Sequence, residues 1–171
     1  VMLSAESAAG QFPAEAVATM NRIAEEVESE EGYRGIMAAQ HADPEQTGAD
    51  AIAAAAHQIA DTLDLSAIVC WTGSGSTGLR VARERPQAAI VALSPNVATG
   101  RKLSVAWGIH CVVAEDAHDQ DDMVERACRI AFQDGFAKAG RRVIIVAGLP
   151  LGTPGATNML RIAFVGNDEG D

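Results

Sequence analysis

A chain of 171 residues is long enough to bury a core as one domain of ordinary size. Only 4% of it is aromatic, so that core has to be built from Ala, Val, Ile and Leu. The net charge is −10, and twelve of the acids lie in residues 1–64 against Arg22 and Arg34 alone, which reads as a solvated helix face; the rest is balanced, so no basic stripe exists for a nucleic acid.

In chain order, "VMLS" reads as the end of a buried strand with nothing upstream to pair beside it, and the chain is read as a piece of a larger protein. Pro13 fits the first turn of a helix, where its missing N–H is not needed. Ala16, Val17, Met20, Ile23, Ala24 and Val27 recur at three and four, which predicts one buried stripe to about Ser29. "GYRGIMAAQHADPE", punctuated by Gly32, Gly35 and Pro44, reads as a boundary. An alanine-rich helix follows over Gln46–Leu63, its small side chains suited to close packing on another helix rather than on a bulky core.

From Leu65 the pattern changes to short apolar runs alternating with helical stretches. Strands are predicted at 67–71, 88–93, 109–113, 142–147 and 160–165, and helices at 77–85, 97–107 and 119–134, with Asp119, Asp121 and Asp122 opening the last. This alternation predicts a three-layer α/β/α fold with a five-stranded, mostly parallel sheet. "GLPLGTPGATNM" is too short for a crossover helix, so the final strand is expected to run antiparallel at an edge. Cys70, Cys111 and Cys128 lie apart without C-x-x-C spacing, which argues for a reducing, cytoplasmic setting. No apolar run approaches the roughly 18 residues of a membrane span, and His41, His57, His110 and His118 lack metal-ligand spacing.

The stretch "VCWTGSGSTGLRVARERP" carries Gly73, Gly75 and Gly78 at the spacing G-x-G-x-x-G, threaded with Thr72, Ser74, Ser76 and Thr77. A dinucleotide turn needs an acid about 20 residues on, and no Asp or Glu occurs between Glu84 and Glu115. A triphosphate loop needs G-K-[ST], and the lysines are Lys102 and Lys138. Two readings stay open: a plain turn with Ser and Thr as caps, or a cradle in which helix N-terminal amides and hydroxyls surround a phosphate. Four hydroxyls exceed what a cap requires. The second loop, "GLPLGTPGATN" at 148–158, leaves a strand end on the same side, where it either walls the same pocket or simply turns.

These segments, in this order, resemble the pyruvate kinase family along essentially the whole chain. "VMLSAESAAGQFPAEAVATMNRIAEEVE" is similar to the last strand and helix of that family's barrel, with its L-S-G-E-T-A-x-G-x-[YF]-P-x-E-A-V signature, departing from it at Ala5 and Ser7. "AIVCWTGSGSTGLRVARERPQAAIVALSPN" resembles the start of its C-terminal domain, the T-x-S-G-x-[ST] phosphate loop falling on Thr72–Thr77; "RKLSVAWGIHCVV" and "GLPLGTPGATNMLRIAFV" match later strands and the closing effector loop. The resemblance implies a barrel remnant over 1–32, a linker over 33–45 and the C-terminal domain over 46–171.

It further implies a phosphotransferase moving phosphate from phosphoenolpyruvate to ADP with Mg²⁺ and K⁺. No cofactor is expected in this chain, whose catalytic site is incomplete, with only Ser4 and Glu6 bordering it. An effector phosphate is expected on Thr72, Gly73, Ser74, Gly75, Ser76 and Thr77, under the loop Gly152, Thr153, Pro154, Gly155 and Ala156. Subunit pairing is implied through helix 46–63 and strand 161–165. Family members that take fructose bisphosphate hold its other phosphate with a basic residue and a tryptophan. Here that basic position falls near Met123, amid acids, with Arg126 the candidate to replace it, so a monophosphate is favoured. The alternatives are a stand-alone phosphate-ligand binding protein and a pure oligomerisation module.

Overall fold

The computed structural model describes residues 2–39, 43–151, 153 and 155–166. The chain divides into two compact units, Val1–Ala42 and Asp43–Asp171. The first holds α1 (Ala5–Ala8), α2 (Pro13–Ser29) and α3 (Glu31–Ala39). Pro13 opens α2 as the sequence predicts. Two expectations change. Met2–Ser4 form no strand and Met2 is 84% exposed, because a strand needs a neighbour to bond to and the described part of this unit is helical. The α2 stripe is not buried: Val17, Ile23 and Val27 stay exposed, since a helix hides a stripe only where a second layer faces it, and α1 and α3 are too short to form one. A helix, α3, also occupies part of the stretch read as a linker.

The second unit holds α4 (Gly48–Leu63), β1 (Ala67–Trp71), α5 (Ser76–Arg83), β2 (Ala89–Ser94), α6 (Val97–Leu103), β3 (Ile109–Val113), α7 (Gln120–Gln133), β4 (Arg142–Gly148) and β5 (Thr157–Phe164). Its sheet has the order β3-β2-β1-β4-β5, with four parallel strands and β5 antiparallel to β4. This is the three-layer α/β architecture that the alternation predicts. Strand β5 begins earlier than expected because pairing with β4 continues through a register shift at Ala147/Gly148. Helix α6 is shorter than expected: the turn from Ala106 N–H to Leu103 O and the positive φ of Gly108 redirect the chain into β3.

Strand periodicity sends alternate residues to two cores. Val69, Trp71, Val91, Leu93, Val143 and Ile145 face one, closed by Met123, Ala127 and Ala131 of α7. Ile68, Cys70, Ile90, Ile144 and Val146 face the other, closed by Ala53, Ala56 and Ala60 of α4 and Val81 and Ala82 of α5. The alanines of α4 therefore meet α5 but also lie on the bulky sheet face, which corrects the helix-only expectation. Burial pushes the Cys70 thiol up to about 12, so it is an inert core side chain.

One polar cluster ties α4 to α5. Thr47 caps α4 by accepting from the Asp50 amide at 3.2 Å, and its hydroxyl donates to Asp50 Oδ2 at 2.5 Å. Asp50, 1% exposed, also meets Arg83 at 2.7 Å and Arg80 at 3.3 Å. The Thr47 hydroxyl, with the two guanidiniums behind it, holds the Asp50 carboxyl below the usual carboxylate range. A carboxyl depressed in the folded state stabilises it above the unfolded value and loses that contribution on acidification. Asp50→Asn is therefore expected to lower Tm at neutral pH, with the gap to the parent closing below about pH 4; thermal melts across that range measure it.

Candidate functional site

The carboxyl ends of the parallel strands share one edge, where open α/β sheets form their crevices. Strand β1 ends at Trp71, and Thr72 anchors the following loop by donating its N–H to Leu93 O of β2 at 3.0 Å. Thr72 Oγ1 accepts from the Gly75 amide at 2.9 Å, drawing the loop into a tight turn. Gly75 sits at φ 90°, and a Cβ there would lie 3.1 Å from Leu103 Cδ2, so glycine is needed for both conformation and space. From α6, Thr99 Oγ1 donates to Gly73 O at 2.8 Å.

Helix α5 starts directly after this turn. Leu79 N–H closes its first turn on Gly75 O at 3.0 Å, which leaves the amides of Ser76, Thr77 and Gly78 at the positive end of the helix. Ser74 and Ser76 hydroxyls lie 3.2 Å apart. Thr77 Oγ1 and Thr157 Oγ1 pair at 2.8 Å, joining α5 to β5. The β4–β5 connection is braced by Asn158, whose amide group bonds both backbone groups of Leu149 at 2.8 and 2.7 Å.

A cavity of about 380 Å³ opens here, within the range of small-ligand sites. Of the expected phosphate loop, Thr72, Gly73, Ser74, Ser76 and Thr77 line it, while Gly75 shapes the turn behind them. Of the expected effector loop, Thr153, Gly155 and Ala156 line it; Gly152 and Pro154, like His41, lie outside the described residues. The structure thus brings the two loops to one cavity. Trp71, Asn96, Thr99, Asp116 and Thr157 line it as well and were not singled out from sequence. Asn96 and Asp116 follow β2 and β3, so the rule that crevices form at strand carboxyl ends marks both.

The lining carries no Lys, Arg or His among the described residues, and Asp116 is its one charged side chain. Met123, near the expected basic position, is fully buried in the core. Arg126 donates to Asp122 at 2.6 Å and lies 3.9 Å from Glu115, so it is already held by acids. Asp119 caps α7 by accepting from the amides of Asp121 and Asp122, as the sequence predicts. In the other unit, Ser4 and Glu6 are exposed and bond to each other at 3.2 Å; the amides of Glu6 and Ser4, with the Ser4 hydroxyl, hold the Glu6 carboxyl below its ordinary value. Among the described residues no three His, Cys, Asp or Glu side chains gather in a way that could hold a metal ion, and no helix is long and apolar enough to cross a membrane.

A parallel sheet with one antiparallel edge strand, opening at its carboxyl edge onto a hydroxyl-rich helix N-terminus, defines an α/β domain of the doubly covered type. The family model of the pyruvate kinase alpha/beta domain matches residues 50–163, and the chain belongs to that family. It is 60% identical over 165 residues to a pyruvate kinase of Methylorubrum extorquens, covering 96% of this chain and 34% of that protein. A pyruvate kinase of Agrobacterium vitis is 39% identical over 166 residues, 97% of this chain and 35% of its own length. One from Geobacillus stearothermophilus is 39% identical over 165 residues, 96% of this chain and 28% of its own. The chain thus spans about a third of the length of these relatives.

The turn before α5 is open to a direct check. Gly75→Ala is expected to lower unfolding free energy by about 1–2 kcal/mol. Gly73→Ala, whose added Cβ meets nothing within 4 Å, is expected to stay within about 0.5 kcal/mol of the parent. Urea denaturation measures both.

Proposed function

We propose that this chain is the regulatory and subunit-pairing part of a cytoplasmic pyruvate kinase, with residues 1–32 from its barrel, 33–45 a linker and 46–171 the C-terminal domain. The whole enzyme, on this reading, transfers phosphate from phosphoenolpyruvate to ADP with Mg²⁺ and K⁺, and the pocket described above takes a phosphorylated effector. One observation carries the effector reading: loop hydroxyls and the free amides of α5 line one cavity together with the β4–β5 connection. Each hydrogen bond from such donors to a charged phosphate is worth on the order of 1.5–3 kcal/mol, enough for several of them to hold an anion without a cation. The absence of a basic lining residue among those described, with Arg126 engaged by acids, favours one phosphate over two.

Calorimetry of the purified chain tests this with AMP, ribose 5-phosphate, glucose 6-phosphate and fructose 1,6-bisphosphate. A monophosphate is expected to bind tightest, and Ser74→Asp to abolish binding by setting a carboxylate in the cradle. Tighter binding of the bisphosphate than of every monophosphate overturns the preference.

The pairing surface we propose is α4 with the open edge of β5, where Ile162 and Phe164 remain 41% and 69% exposed. The same preparation is expected to sediment as a dimer or larger. It is also expected to give no pyruvate from phosphoenolpyruvate, ADP and Mg²⁺, since no catalytic lysine or metal ligand is assigned to it; a monomer at high micromolar concentration, or turnover, counts against this assignment.

A further inference from the structure

We infer that Asp116 is the specificity-determining residue of the pocket: its carboxylate accepts hydroxyl protons from a polyhydroxylated sugar bearing a single phosphate, and repels a second phosphate at that end. This rests on the phosphate cradle proposed above and adds what the other end of the ligand must be. Asp116 lies in the β3–α7 connection and is the one charged side chain lining the cavity among the described residues. It is exposed and has neither an ion pair nor a hydrogen bond among those residues.

The other polar groups of the wall are largely engaged. Asn96 uses its side-chain oxygen to cap α6, Thr99 donates to Gly73 O, Thr72 accepts from Gly75, and Thr77 pairs with Thr157. Asp116 is the strong acceptor left with its capacity intact.

Its position is set by the sheet. Strands β1 and β3 flank β2, which puts their ends about 10 Å apart at the usual spacing between strands. Ser76 and Thr77 at the start of α5 and Asp116 beyond β3 line the same cavity, so a five- or six-carbon sugar phosphate seated in it meets the α5 amides with its phosphate and the carboxylate with its hydroxyls. A second observation agrees. Trp71, 4% exposed, lines the cavity and leaves its indole Nε1–H without an acceptor among the described residues. Buried donors are nearly always paired, and a sugar oxygen supplies the acceptor.

The test compares inorganic phosphate, ribose 5-phosphate and fructose 1,6-bisphosphate on the whole chain by calorimetry. The parent is expected to bind ribose 5-phosphate tighter than inorganic phosphate by about tenfold or more, the worth of a charged hydrogen bond. Asp116→Asn is expected to erase most of that preference while leaving inorganic phosphate at least as tightly bound. Asp116→Lys is expected to turn the preference toward the bisphosphate. An unchanged preference in Asp116→Asn overturns the role of Asp116 and leaves the cradle standing, provided phosphate still binds and Ser74→Asp removes it. No binding of phosphate or sugar phosphate to the parent overturns both.

Discussion

The burial of β1 on both faces is the constraint from which the rest of the second unit follows. All five residues of Ala67–Trp71 are buried, and they alternate between two cores, one closed by α7 and the other by α4 and α5. A strand flanked on both sides by β2 and β4 and covered on both faces has one free direction, out of its carboxyl end. The backbone therefore has to turn at Thr72, and Thr72 stays in the sheet's bonding pattern through Leu93 before the loop bends away. The core beneath places the start of the loop, and Thr72, Gly75 and Thr99 then shape its turn.

That placement explains the pocket's chemistry. A helix N-terminus offers donors and a positive dipole end with no side-chain cation. Hydroxyls from the preceding loop and the first turn of α5 line the same cavity, and Asp116 adds a carboxylate to it. Such a site gains selectivity from the number and direction of its hydrogen bonds, where a cluster of cations would accept any polyanion. The acids around Arg126 act in the same sense, since a guanidinium already bonded to Asp122 has little reach left for a ligand.

The far end of α5 is tied as firmly as its start. Arg80 and Arg83, in the helix's last turn, meet the carboxylate of Asp50 at the first turn of α4. One eight-residue helix therefore connects the cradle to α4 through a cluster whose central carboxylate is almost wholly buried. Positive side chains at the end of α5 also complement its dipole. The hydrogen-bonded turn before α5 and the ion cluster at its end hold the same short element from both sides.

The sequence alone determined the elements that depend on local pattern. The apolar runs 67–71 and 109–113 became β1 and β3 at those bounds, Pro13 opened α2, and Asp119 opened α7, because hydrophobic period and capping chemistry act over a few residues. The contiguous loop 72–77 was legible for the same reason, since its glycines and hydroxyls are neighbours in the chain. Tertiary structure decided what depends on partners: the exposure of Val17, Ile23 and Val27, the double packing of α4, the early start of β5 at a register shift, and the gathering of Trp71, Asn96, Thr99 and Asp116 around one cavity. Those residues come from three separate segments, the end of β1, the start of α6 and the β3–α7 connection. Only the order in which the strands pair brings them together, and that order is set by which faces must be buried against which, a long-range condition that no local spacing records.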